Sequence, residues 1–161
     1  RKKIVSLICF IVIGINSLSY SETPDSDSNE AEWAEFMAGV LNVEDEGVEY
    51  ALPDGRRIDI YDKKNNIAYE VDWCKKWPEG IGQSLGYSLA TNSEAGLILL
   101  FKAGEDEYYN AALGVVNHLR QRGIKYHFIV INVQNKKIRK EKEERIEEVQ
   151  MEEIGKEWRI E

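Results

Sequence analysis

Cysteine, histidine and positive charge are all scarce in this 161-residue chain, and each scarcity narrows what it can do. The two cysteines are Cys9, inside a leading apolar run, and Cys74. Removal of that run leaves Cys74 alone, so no internal disulfide can form, although an oxidising compartment stays compatible with one thiol. The two histidines, His118 and His127, have apolar neighbours and no ligand-spaced partner, and are read as packing residues. Against 29 acidic residues stand 21 basic ones, a formal net charge of −8. That balance argues against broad non-specific binding to nucleic acid, which rests on many Lys/Arg contacts to phosphate. A compact site in which metal ions offset the repulsion remains open. Long apolar runs are missing too. Ile4–Ile15, twelve residues without charge, gives a helix of about 18 Å, too short for a hydrocarbon core of about 30 Å.

What those first residues do contain is a basic start (Arg1, Lys2, Lys3), the apolar run, and small polar residues at Ser17, Ser19 and Ser21. This is the pattern of a secretory signal peptide over residues 1–21. A membrane-associated helix and an N-terminal strand are the alternatives. Cleavage after Ser21 takes Lys plus Arg from 21 to 18 against an unchanged 29 Asp plus Glu, leaving −11. The product would be secreted or periplasmic, with no stable membrane anchor.

Residues 22–29 are polar and acidic and read as a disordered spacer. A helix is expected from Glu30, with Asn29 as N-cap and Glu32 completing a capping box. Trp33, Phe36, Met37, Val40 and Leu41 fall on one face of it. Three strands follow, at Val48–Leu52, Arg57–Tyr61 and Ile67–Trp73, separated by turns at Pro53-Asp54-Gly55 and Lys63–Asn66. Pro78 opens a second helix that runs to about Thr91. Ala95–Phe101 reads as a strand covered on both faces. A third helix from about Glu107 to Arg122 stops at Gly123, and Tyr126–Val133 is another buried strand. The order is α-β-β-β-α-β-α-β, an α/β domain over residues 30–133. The tail, residues 134–161, is dense in charge and reads as a solvated helix, with binding of a protein partner as the alternative.

The chemistry concentrates on the second and third strands. A hairpin turning near Lys64 and Asn65 sets Asp59 almost opposite Glu70, where cross-strand Cβ atoms are about 5 Å apart. Two carboxylates that close repel unless a cation lies between them or one holds a proton. Mg²⁺ is commonly held by one or two carboxylates, with waters and phosphate completing its shell. A pair of solvent-facing acids is the plain alternative. The neighbourhood favours a site: Asp72 shares a strand face with Glu70, and Lys75 and Lys76 follow at once. Lys76, Glu79, Gln83 and Tyr87 then fall along one helical stripe, with Ile81, Leu85 and Leu89 on another side. Gly80, Gly82 and Gly86 are unfavourable in a free helix and make sense where a helix packs closely on a sheet.

These residues resemble a family. Gly55-Arg56-Arg57-Ile58-Asp59-Ile60, Ala68-Tyr69-Glu70-Val71-Asp72 and Gln83-Ser84-Leu85-Gly86-Tyr87 look like the PD-(D/E)XK nuclease superfamily, and most like its RecB-type branch. The segment from Glu70 to Leu85 is also similar to a group of small bacterial proteins of that type without assigned roles. The likeness covers residues 28–132. It implies a three-layer α-β-β-β-α-β restriction-endonuclease-like core with a mixed central sheet. It implies Asp59 and Glu70 as ligands of Mg²⁺ or Mn²⁺, joined by the Val71 carbonyl and by an acid from the first helix or strand. Glu49 is the preferred acid, ahead of Glu32 and Glu35. Gln83 and Tyr87 would orient the phosphate or a neighbouring ligand.

One departure stands out. The family's lysine belongs at position 72, which is Asp72 here, and Lys76 is the residue that could reach the same space. The resemblance therefore implies a metal-dependent phosphodiester hydrolase acting on nucleic acid, with Glu49, Asp59, Glu70, Asp72 and Lys76 as its working groups. The rival is a binding or assembly module that has lost its lysine, and a hydrolase for another phosphate substrate is a third reading.

Overall fold

Asn29 opens the first helix by accepting a hydrogen bond from Glu32 N at 3.0 Å, which satisfies one donor that a helix start leaves unpaired. A computed structural model describes residues 22–142 and 145–150, with side chains through Glu141; the expected signal peptide lies outside the described residues. Helix α1 (Glu30–Val40) buries Trp33, Phe36 and Met37, and Val40 and Leu41 pack against the same cluster. The predicted apolar face is the one that meets the sheet.

The sheet has seven strands: β1 (Val48–Ala51), β2 (Arg57–Asp62), β3 (Ile67–Trp73), β4 (Glu94–Phe101), β5 (Tyr126–Asn132), β6 (Lys137–Lys142) and β7 (Arg145–Gln150). Their spatial order is their chain order. β3, β4 and β5 run parallel, and every other neighbouring pair is antiparallel. Parallel neighbours need a crossover, supplied here by α2 (Trp77–Thr91) and α3 (Asp106–Gln121). Two crossovers of the usual hand that step the same way across a sheet land on one face. Accordingly Ile81 of α2 and Ala112 and Val116 of α3 pack with Leu97, Leu99, Phe128 and Val130. α1 covers the other face over β2 and β3, in a cluster with Ile60, Tyr69 and Val71 that runs on to Ile98, Leu100, Ile129 and Ile131. The result is an α/β fold of three layers around a mixed sheet. β4, covered on both sides, is buried from Ala95 to Leu100, as its unbroken apolar run requires.

Three local expectations are corrected. The charged tail is not helical over Lys137–Lys142 and Arg145–Gln150: these are two further antiparallel strands that extend the sheet. β6 pairs with β5 from Phe128↔Glu141 to Asn132↔Lys137, and β7 pairs with β6. The open edge of β5 is the cause, because a buried strand cannot leave its row of N–H and C=O groups unpaired. Asn132 sets the turn, its Oδ1 accepting from the backbone N of Gln134 and Asn135, each at 3.2 Å. Residues 151–161 lie outside the described residues.

The second correction concerns α2. Its buried stripe is Gly80, Ile81, Ser84 and Tyr87, so Tyr87 belongs to the sheet-facing side and Leu89 is 85% exposed. Third, a 3-10 turn over Cys74–Lys76 precedes α2, so Lys76 caps that helix rather than riding on its first turn.

Candidate functional site

The turn between β2 and β3 is built by Asp62, which accepts from Asn65 N at 3.0 Å and from Asn65 Nδ2 at 2.7 Å, with Asn66 in the left-handed region. This turn sets the register Asp62↔Ile67, Tyr61↔Ala68 and Ile60↔Tyr69. Asp59 comes one step beyond the last pair, in line with Glu70. There its side chain does what a backbone carbonyl would have done: Asp59 Oδ2 accepts from Val71 N at 2.8 Å. In a strand, N–H and C=O of one residue leave on the same side, so the Val71 carbonyl also faces the Asp59 edge.

Glu70 and Asp72 project from the α2 face of β3 and are 8% and 4% exposed. Gly80 lets α2 come down onto them, since a Cβ there would lie 2.7 Å from Leu97 Cδ1 and 3.4 Å from Asp72 Cβ. The close packing expected of the α2 glycines is confined to this end. Nothing approaches Gly82 within 4 Å, and at Gly86 the neighbour is Arg56 Nη1. Tyr87 completes the wall with a side-chain hydrogen bond to Glu70. Asp59 and Glu70 are close enough for each carboxyl to shift the other.

The electrostatics follow from burial. Desolvation, then the charges of Asp59, Asp72 and Glu30, pushes Glu70 up to about 9 from 4.5. Burial pushes Asp72 up to about 7, helped by Glu30 and opposed by Lys76. Burial also lifts Asp59 to about 6, with Glu49 and Glu30 adding and the Val71 N–H pulling back. Tyr87 rises to about 12, first through burial and then through Glu70 and Asp59. Burial and mutual repulsion thus favour the protonated forms of these carboxyls in the absence of a cation. One oxygen, Glu70 Oε2, is buried and has no hydrogen-bond partner.

Not every expected residue joins the cluster. Glu49, the preferred further acid, stays at the rim: it adopts φ 51°, its side chain is exposed, and it pairs with Arg57 Nη1 at 3.5 Å. Glu30, the first residue of α1, takes that place. Its Oε1 lies 3.0 Å from Lys76 Nζ, and its proximity helps raise the Asp72 carboxyl. Lys76 Nζ is also 3.6 Å from Asp72 Oδ1, so the lysine does reach the carboxylates. Gln83 is half-buried one turn before Tyr87. Arg56, from the β1–β2 turn, lies over the Tyr87 ring at 5.7 Å while bound to Asp54. The histidines pair elsewhere, His127 with Glu94 at 2.7 Å and His118 with Arg122 at 3.0 Å. Trp73, Trp77 and Tyr109 pack on the apolar clusters, while Tyr108 is exposed.

Among the described residues, no group of three or more His, Cys, Asp or Glu side chains is arranged as a ready-made metal cage. A hard cation asks for less, namely one or two carboxylates, a carbonyl and waters. Asp59, Glu70 with its unpartnered oxygen, and the Val71 carbonyl would supply such a donor set. No protein-family model, curated protein or solved structure matches the chain.

Proposed function

We propose that this chain is a divalent-metal-dependent phosphodiester hydrolase acting on nucleic acid, built on the restriction-endonuclease-like core of the PD-(D/E)XK proteins. Asp59 and Glu70 hold Mg²⁺ or Mn²⁺. The observation that carries the reading is the buried, unpartnered Glu70 Oε2 among three further carboxylates. Leaving a buried polar group unsatisfied costs about 1–3 kcal/mol, more when charged, and a cation removes that penalty. The run of elements from α1 to β4 supports the fold part of the reading.

The bound ion would lower the pKa of a coordinated water and stabilise charge on the phosphate. The chain supplies the rest. Asp59 is held in place by the Val71 N–H, and the Val71 carbonyl beside it offers a neutral oxygen. Tyr87 fixes Glu70 by donating to it. Lys76 brings an exposed ammonium to the rim, where a phosphate oxygen can take it from Glu30. Arg56 and Gln83 border the Tyr87 side and are suited to backbone phosphate. Export belongs to the same proposal: the mature protein starts near Glu22, and mass spectrometry of protein from its native host should find that N-terminus outside the cytoplasm.

The test is incubation of purified protein with single- and double-stranded DNA and RNA in Mg²⁺, Mn²⁺ or EDTA. Cleavage of at least one polymer is expected with metal and none with EDTA, and Asp59→Asn and Glu70→Gln should each abolish it. A second reading, a non-enzymatic binding module, is favoured by Asp72 standing at the lysine position and by the engagement of Lys76 with two acids. Wild type inert toward every polymer, with metal-dependent cleavage gained in Asp72→Lys, would replace the first reading by the second.

A further inference from the structure

Away from the carboxylates, a second concavity opens at the same end of the sheet, between the first turns of α3 and strands β5 and β6. It is a cavity of about 220 Å³, lined by Phe101, Tyr109 and Arg139 and by the polar groups of Asp106, Asn132 and Lys137. The aromatic wall is set in advance by its neighbours. Tyr109 lies nearly parallel to the buried Phe128, with 12° between the planes, and meets Phe101 edge to face at 6.3 Å. Its hydroxyl donates to the buried Glu141, which fixes the ring. The Arg139 guanidinium stands over that ring, 5.8 Å from its centre. A guanidinium is itself a planar surface on which another ring can stack. The polar lining is mixed. Lys137 donates and Asp106 accepts, while Asn132 spends Oδ1 on the backbone N of Gln134 and Asn135 and keeps Nδ2 as a donor.

Strand register ties this cavity to the carboxylates. Asp72 pairs with Leu99, Leu99 with Val130 and Val130 with Arg139, which is one row on one face of the sheet. Neighbouring strands are about 4.8 Å apart, so three steps separate Asp72 from Arg139 by roughly 14 Å. α3 stands between the two places, and a chain linking them would round its N-terminal end at the exposed Ala103 and Gly104.

We infer that this cavity takes one unpaired nucleobase of a single strand whose phosphodiester chain runs on to the Asp59–Glu70 site. Whole small-molecule ligands usually occupy about 300–1,000 Å³, so a smaller cavity suits a single ring system. Unstacked bases are held between aromatic rings and arginine planes, and their edges carry both acceptors and donors, as this lining does. In a duplex those base faces are covered, so single strands are preferred. The inference rests on the proposed function for the polymer and its path, but it uses other residues and can fail separately.

Short oligothymidylate strands, each with one 5-iodouracil, test it by irradiation on the full-length protein in EDTA and mapping of crosslinks by mass spectrometry. Attachment at Tyr109 or Phe101 is expected. Affinities follow from fluorescence anisotropy, also in EDTA. Arg139→Lys keeps the charge and loses the plane, so it should weaken single-strand binding about tenfold and leave binding of a blunt duplex unchanged. Its melting temperature should match wild type, which separates the loss from one of folding. Phe101→Leu should weaken single-strand binding in the same way without altering any charge. Absence of crosslinks at Tyr109 and Phe101, or unchanged single-strand affinity in Arg139→Lys, overturns the inference. Neither measurement needs metal or cleavage. A protein inert toward every polymer that still crosslinks at Tyr109 would overturn the hydrolase reading and leave this one standing.

Discussion

An acidic side chain that the fold seals from water behaves differently from one on the surface, and Glu70 shows how. Burial and neighbouring acids push it up to about 9, and Asp72 and Asp59 shift the same way, to about 7 and 6. A carboxylate whose folded pKa is raised stabilises the fold fully below its unfolded value, and that stability is lost as pH rises through the folded value. In EDTA, the melting temperature of wild type should fall between pH 5 and pH 9. Glu70→Gln, neutral throughout, should fall less and should melt higher than wild type at pH 9. Saturating Mn²⁺ should reverse that order, since only wild type gains from a ligand bound by the native state. A wild-type melting temperature independent of pH in EDTA would show that the cluster holds no such protons. Tyr87→Phe removes the donor that orients Glu70, so Mn²⁺ affinity should drop roughly 10- to 100-fold by calorimetry, the usual range for a partner of a metal ligand. Asp59, Glu70 and Asp72 were legible in the sequence because hairpin register and a period of two fix their relative places. Glu30 was not. Acids in a first helical turn already have an explanation in the helix dipole, which hid a second one. The available signal was its position on the stripe of Ala34 and Met37, which turns it toward the sheet.

At the scale of elements, the contact between α2 and the sheet decides whether the carboxylates meet. Gly80→Ala would drive a Cβ to 2.7 Å from Leu97 Cδ1, a fully buried neighbour, and should destabilise the protein by about 1–3 kcal/mol. Gly82→Ala meets nothing within 4 Å and should stabilise by about 0.5–1 kcal/mol through helix propensity alone. Denaturant unfolding compares the two, and Mn²⁺ affinity should suffer in the first alone; a neutral Gly80→Ala would mean that the helix rides higher than described. The strands and helices up to Asn132 were readable because each had a clear period and a bounded turn. The first strand beyond was not, because Lys137–Lys142 carries one aliphatic residue, Ile138, among charges. Its strand character comes from the edge it pairs with, which no local pattern encodes. Leu89 misled for the opposite reason: its spacing from Ile81 and Leu85 looked apolar, yet the buried stripe ran through Ser84 and Tyr87.

For the molecule as a whole, the proposed function sets an excess of acidic charge against a polyanionic substrate. The cations beside the cluster, Lys76 and Arg56, are each engaged by an acid. Binding of DNA in Ca²⁺, read by fluorescence anisotropy, should therefore have a shallow salt dependence, a log–log slope of about −2 to −3, equivalent to two or three neutralised phosphates. A slope near −8 would point to an extended basic track reaching well beyond Lys76 and Arg56. The strand order has a consequence of another kind. Because every strand pairs with the one just before it in the chain, no ladder closes a loop longer than the α2 or α3 crossover, and the entropy of closure stays modest. Low contact order of this sort speeds folding. A chain delivered N-terminus first through a narrow exit can add each strand to the edge its predecessor left open, with none waiting for a partner still to come. The hairpin carrying Asp59 and Glu70 is then assembled early, and the acids come together when α2 arrives and settles Gly80 over them.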